Sequence, residues 1–214
     1  MKILVTGFDP FGGEAVNSAY EAVKPLPDNI LGAQIIKLEL PTIFTKSATM
    51  MREKIISEKP DVVLCIGQAG GRSHICVEKI GINLIEARIA DNDGNQPIDK
   101  KIQEDGETAY FSNLPLKAMV ANINKHDIPS SVSYTTGTFV CNYILYNLMY
   151  FIDKEFHNIK GGFIHVPYDT QQVINKPAGT PSMPTAIISD GLRYAIEAVI
   201  ENKNDIEINA GQTH

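Results

Sequence analysis

Positive charge is scarce in this 214-residue chain: 19 Lys+Arg stand against 25 Asp+Glu, a formal net charge of −6. No Lys/Arg-rich run occurs, the densest basic spot being Lys100-Lys101. Nonspecific nucleic-acid binding, which needs clustered cations against phosphate, is thereby disfavoured. Apolar runs stop after a handful of residues, far short of the ~20 needed to cross a bilayer. The first seven residues, MKILVTG, lack the apolar segment and small-residue cleavage site of a secretory signal. Cysteine is scarce and odd in number: Cys65, Cys76 and Cys141, no two of them in a CxxC pair. A disulfide framework and structural zinc are both disfavoured, and the reducing cytoplasm is the expected compartment. No internal repeat, low-complexity tract or linker is present. Gly7–Gly13 follows a strand yet lacks the Gly-Lys-Ser/Thr ending of a P-loop and the dinucleotide GxGxxG. The GxSxG elbow of serine hydrolases is missing too.

What is present is an ordinary globular composition, 43% apolar and 21% charged. The length amounts to about 1.4 typical domains, which reads as one generous domain over residues 1–214 with a polar, frayed tail from about residue 203. A folded chain of this mass hides roughly 70% of its surface, ample for a core without a metal or disulfide.

Short strand-like runs alternate with helical periods. Residues 2–6 (KILVT), 34–40, 61–66 (DVVLCI), 77–80, 83–87, 131–134 and 162–166 (GFIHV) read as strands. Residues 17–24, 43–58, 116–124, 139–156 and 184–201 read as helices, with Asn17 or Ser18 capping the first and Ser182 the last. This alternation predicts an α/β fold, a three-layer α/β/α sandwich on a mainly parallel, mixed sheet. In such sheets sites form beyond the carboxyl ends of the strands. The segments 7–13, 67–72, 136–141 and 165–168 all follow strand ends and are expected on one rim.

Those segments hold the residues that carry chemistry. Phe8 and Phe11 are bulky where a phosphate cradle wants bare backbone, so they either fill a tight turn or wall an apolar ligand site. Cys141 lies in the first turn of the 139–156 helix, where free N–H groups and the dipole favour a thiolate. The competing reading is a small core residue, which suits Cys65 inside VVLCIG far better. Cys76 lies two residues from Glu78, so the two share one strand face. A catalytic thiol needs a base and an orienting group. His165 ends an apolar strand on the expected rim. His126 and His157 sit at helix ends among polar residues, and His214 is terminal. Glu78, Asp91, Asp93 and Asp169 are all possible partners for His165, and spacing does not choose among them.

Taken together these segments resemble the pyroglutamyl peptidase I family of cytosolic cysteine peptidases. The resemblance is carried by TGFDPFGGEAVN, LPTIF, GQAGGR, EKIGIN, ARIADNDGNQPID, GTFVCN and FIHVP, which run in order from Thr6 to Pro167. It implies a Cys141–His165–Glu78 triad that removes N-terminal pyroglutamyl residues from peptides through a thioester, without metal or cofactor. It further implies that Phe8, Phe11, Thr42, Ile89, Phe139 and Val140 build or border an apolar slot, supported by Asn17 and Gln68. Backbone N–H groups near Cys141 and around Arg88 would face the oxyanion, and the family often assembles as a homotetramer. One departure is Lys79, which stands where the family usually shows Arg. It keeps the charge but loses the donor fork, which bears on a salt bridge near the triad. Two other classes remain open at this point: a nucleoside phosphorylase-like transferase, which would need a cationic phosphate site, and a non-catalytic small-molecule binder with an inert thiol.

Overall fold

The computed structural model describes residues 1–210, so His214 and the last part of the expected tail lie outside the described residues. The strands are β1 (Lys2–Phe8), β2 (Asn29–Ile30), β3 (Ala33–Leu40), β4 (Val62–Gln68), β5 (Ile75–Glu78), β6 (Ile80–Ile82), β7 (Ala109–Phe111), β8 (Ser130–Ser133) and β9 (Lys160–Val166). The helices are α1 (Ser18–Val23), α2 (Phe44–Glu58), α3 (Leu116–Lys125), α4 (Val140–Lys154) and α5 (Thr185–Glu201), with a 3-10 turn at Thr170–Val173.

Seven strands form one sheet in the order β2-β3-β1-β4-β9-β5-β8. β3, β1, β4 and β9 are parallel, β5 reverses against β9, and β8 follows β5. The central strands are buried on both faces, and alternate residues feed two cores. Leu4, Val63 and Phe163 pack with α2 and α4, whereas Ile3, Leu64 and Ile164 pack with α1, α3 and α5. Two-sided burial of this kind demands the continuous apolar runs seen in the sequence. The result is the mainly parallel, mixed sheet between helices that the alternation predicts.

Four segments differ from their sequence reading. Residues 77–80 are not one strand. The Lys79 N–H donates to the Ser133 carbonyl (2.8 Å) and its own carbonyl accepts from Ser112 (3.0 Å). The chain is thereby diverted, and β6 pairs with β7 in a separate two-stranded sheet. Residues 83–87 form a loop with one isolated bridge, Ile85 to Lys100. Its start is held by Asn142 of α4, whose amide donates to the Ile82 and Leu84 carbonyls (2.9 and 3.0 Å) and accepts from the Ile82 N–H (2.9 Å). Ser182 does not cap α5; Asp169, sixteen residues before Thr185, accepts from that residue's N–H (2.9 Å) and hydroxyl (2.6 Å).

The tail is docked rather than frayed as far as Ala210. The Asp205 carboxylate accepts from the Lys117 and Ala118 N–H groups (2.9 and 3.0 Å), capping α3. The Ala210 carbonyl accepts from Val132 (2.9 Å). Replacing such a cap removes the only partners of first-turn N–H groups. Asp205→Ala should therefore cost about 1 kcal/mol of unfolding free energy, seen as a lower midpoint in urea with an unchanged slope, and Asp205→Asn should cost less.

Candidate active site

The four rim segments meet around a cleft of about 590 Å3. Gly12 comes from the first, Gly70 and Arg72 from the second, Gly137 and Cys141 from the third, and His165 with Tyr168 from the fourth. A narrower slot opens beside it. Phe8, Phe11, Phe139 and Val140 form its apolar side, Asn17, Thr42 and Gln68 its polar side, and Cys141 lines both slot and cleft. Arg88 and Ile89 line the cleft.

Sheet register places the thiol and the imidazole. Gly67 of β4 pairs with His165 of β9, which on its other side pairs with Cys76 of β5. A Cβ on Gly67 would fall 2.8 Å from the Cys141 Sγ and 2.6 Å from the Phe163 ring. The thiol therefore occupies the space a side chain would need, directly above the strand next to His165. Cys141 gets there as the second residue of α4, which follows the bend at Gly137 (φ 79°).

His165 is buried, and its Nδ1 lies 2.7 Å from Oε1 of Glu78. That bond leaves Nε2 as the nitrogen free to face the thiol. Glu78 is fully buried, and the Arg72 guanidinium donates to the same oxygen at 2.7 Å while its other arm holds the Thr135 carbonyl (3.0 Å). Among the four carboxylates left open by spacing, Glu78 is the one that meets His165. Asp91 organises its own loop, accepting from the Phe44, Asp93 and Asn95 N–H groups, and Asp93 pairs with Lys46. Asp169 caps α5 as described.

At the Cys141 thiol the helix N-terminus, which favours a thiolate, is opposed by burial and a neighbouring carboxylate. Burial, followed by the nearby Glu78 charge, pushes the Cys141 thiol up to about 12, and Arg72 only partly offsets this. Cys65 sits wholly inside the α2/α4 core, as expected, and burial also pushes it up to about 12. Cys76 is buried next to His165 across the β5–β9 pairing, near Arg72 and Ser131, its thiol raised by burial.

The slot's polar side is set by internal bonds. The Asn17 side chain is spent within the chain, donating to the Asp9 carbonyl (2.9 Å) and capping α1 at Ala19 (3.1 Å). Thr42 is fixed by the Asp9 carboxylate at its N–H (2.6 Å). Phe11 and Phe139 lie face to tilted face at 6.2 Å, and Phe44 braces Phe139 edge-on at 5.4 Å. Phe8 combines both of its expected roles, being 2% exposed, packed against Phe163, and a wall of the slot.

Sequence reasoning missed Arg72 as a site residue; its only signal was a cation just past a strand end in GQAGGR. Lys79 takes no part in holding Glu78, since its ammonium lies over the Phe111 ring (5.6 Å). The fork of donors near the carboxylate is Arg72's. Nor do the remaining arginines gather into a phosphate site: Arg52 pairs with Glu155, Arg193 with Glu197 and Asp190 on its own helix, and Arg88 lines the cleft as a lone cation beside Glu86.

An α/β sandwich that gathers a thiol, an imidazole and a buried carboxylate at its strand ends has the layout of a hydrolytic enzyme. Comparison with known proteins makes this specific. The family model described as pyroglutamyl peptidase matches residues 1–202. A pyrrolidone-carboxylate peptidase of Clostridium perfringens is 57% identical over 211 residues, covering 99% of each chain. One from Enterococcus faecalis is 54% identical over 214 residues, the full length of both. The crystal structure of pyroglutamyl peptidase I from Bacillus amyloliquefaciens superposes with a TM-score of 0.93 at 45% identity, over 97% of this chain and 99% of that one. The pyrrolidone carboxyl peptidase of Thermococcus litoralis gives 0.92 at 36% identity, over 97% and 98%. The chain belongs to the pyroglutamyl peptidase family and is a hydrolase. The transferase and inert-binder readings fall away. No helix among the described residues is long and apolar enough to cross a membrane.

Two outcomes follow from this geometry. A Cβ at Gly67 cannot coexist with Sγ and the Phe163 ring, so Gly67→Ala should cost about 1–3 kcal/mol through overpacking and disorder the thiol, read as slowed alkylation of Cys141. A thiol raised by burial alkylates faster as protons are withdrawn. Iodoacetamide labelling of Cys141 in the free protein should accelerate from about pH 6 to about pH 9, whereas a preformed thiolate would level off below neutrality.

Proposed function

We propose that the protein removes N-terminal pyroglutamyl residues from peptides by thiol catalysis, with Cys141 as nucleophile, His165 as base and acid, and Glu78 as the group that orients His165. The observation that carries this reading is the Cys141 thiol seated over Gly67 at the mouth of an apolar slot, beside an imidazole whose Nδ1 is tied to a buried carboxylate.

The chemistry follows from that arrangement. As the pyroglutamyl carbonyl is attacked, the Cys141 proton passes to Nε2 of His165, so a neutral thiol suffices as the starting state. First-turn N–H groups of α4 have no partner within the helix, and those near Cys141, together with backbone N–H groups around Arg88, serve to stabilise the oxyanion. The imidazolium returns its proton to the leaving amine, leaving a thioester. Water, deprotonated by His165, then attacks the thioester carbonyl, and the expelled thiolate regains its proton. Throughout, Glu78 fixes the tautomer and balances the imidazolium without taking the proton.

The slot suits a neutral lactam. Phe8, Phe11, Phe139 and Val140 offer ring contact, and Gln68 offers an amide. A linear N-terminal Gln or Glu would bring an ammonium into this apolar slot, and its desolvation opposes binding. Leaving peptides extend into the larger cleft past Arg88 and Ile89. We extend the reading to a single catalytic domain acting as a homotetramer in the reducing cytoplasm, which suits three free cysteines.

Release of a fluorescent amine from a pyroglutamyl conjugate under reducing conditions is the test. The wild type should turn over, with activity unchanged by chelators. Cys141→Ser, His165→Ala and Glu78→Gln should each lose on the order of a thousandfold or more in kcat. No turnover by the wild type sinks the reading; full activity in Cys141→Ser sinks the mechanism.

A further inference from the structure

The side-chain amide of Gln68 is held in one orientation by two donors, and one of them comes from a distant segment. Gln68 is 7% exposed and lines the slot. Its Oε1 accepts from the Ser18 N–H (2.9 Å) and from Nε2 of Gln172 (2.9 Å). The Ser18 hydroxyl also lies 3.1 Å away, but its single hydrogen goes to the Pro167 carbonyl at 2.6 Å, so it is not a third donor. With the oxygen engaged, Nε2 of Gln68 donates to no group among the described residues and is left for whatever enters the slot.

Gln172 is itself locked against flipping by two backbone groups of opposite sense. The Asp169 N–H must donate, and it meets Oε1 of Gln172 at 2.9 Å; the Val16 carbonyl must accept, and it meets Nε2 at 3.1 Å. Asp169 and Gln172 form a reciprocal capping box around the 3-10 turn. The turn is tied to the β1–α1 loop a second time by the Lys176–Glu14 ion pair (2.5 Å), Glu14 also receiving a longer contact from Gln172 (3.4 Å). Amide assignment, which rests on such networks, is thus dictated here at both ends by main-chain groups.

We propose that Gln172 is a positioning residue for lactam recognition: by donating to Oε1 of Gln68 alongside the Ser18 N–H, it holds Gln68 so that it presents N–H, not C=O, to the ring carbonyl of the bound pyroglutamyl group. The proposal rests on the function proposed above and adds the origin of its selectivity for a lactam acceptor. Without Gln172 the Gln68 amide loses one of its two orienting donors, and a flipped amide would set carbonyl against carbonyl, leaving both unpaired.

Glutamate at position 172 separates this role from a merely structural one, because it keeps the acceptor for the Asp169 N–H and loses the donor to Gln68. Gln172→Glu and Gln172→Leu should raise KM for the pyroglutamyl conjugate about tenfold, with kcat within about twofold of wild type. Gln172→Lys, which restores a donor but abandons the cap, should return KM most of the way to wild type. The same order should appear without turnover, in the concentration of 2-pyrrolidone needed to protect Cys141 from iodoacetamide. Unchanged KM and protection in both Gln172→Glu and Gln172→Leu would overturn the proposal. So would an equal rise in Gln172→Lys, which would trace the effect to the capping box, or a loss confined to kcat. Should the wild type fail to hydrolyse the conjugate, the function proposed above falls, while the protection series still decides the part played by Gln172.

Discussion

A fully buried carboxylate, Glu78, organises this molecule's rim. An uncompensated charge in such a place would be expelled or neutralised, and two donors at 2.7 Å, the Arg72 guanidinium and the His165 imidazole, make it tenable. The two come from opposite directions. His165 arrives on β9, and the reversal of β5 against β9 sets Glu78 opposite Phe163, two residues from the imidazole. Arg72 arrives on the β4–β5 connection and is itself pinned to the Thr135 carbonyl ahead of α4. Removing one partner of a buried pair typically costs 3–5 kcal/mol, so two strands and two loops are bound to one oxygen atom.

Around that anchor, small residues and aromatic rings set distances. Gly67 lets the thiol lie against the sheet, and Gly70 lets Tyr168 lie against the turn after β4, since a Cβ there would fall 2.3 Å from the tyrosine ring. Tyr168 is covered on another side by the Lys176 ammonium, 4.6 Å from its centroid. The slot walls are rings braced by rings, Phe44 on Phe139 and Phe163 on Phe8. The acidic net charge plays no part in the slot itself, whose lining side chains are all uncharged.

Much of this was legible in the chain itself. KILVT and DVVLCI announced strands buried on both faces, and the rim segments were placed together because each follows a strand end. Cys141 and His165 stood out by position, and choosing Glu78 required the family resemblance. What stayed hidden depends on register or on partners far along the chain. β2 and β6 are too short for a pattern to show, and the diversion at Lys79 is caused by Ser112 and Ser133. Asp169 caps a helix sixteen residues away, so the local signal pointed to Ser182 instead. The spacing Asp169-x-x-Gln172 is a capping-box signature, but nothing in it reveals that the glutamine also reaches Gln68. The thiol's surroundings are hidden for a related reason: a helix N-terminus is visible in sequence, whereas burial and a neighbouring carboxylate, which push the thiol up, are not.

The place of β9 in the sheet has a temporal meaning. β4 and β5 are neighbours in sequence, yet β9, more than eighty residues later, is inserted between them. A chain emerging from the ribosome can form β1, β3 and β4 early, but the centre of the sheet stays open until residue 166 is free. Non-local pairings of this kind form slowly. Until β9 docks, Cys141 has no imidazole and Glu78 no histidine. Under the triad proposed above, nascent and half-folded copies carry an idle thiol, and hydrolytic competence appears only with the closing of the sheet.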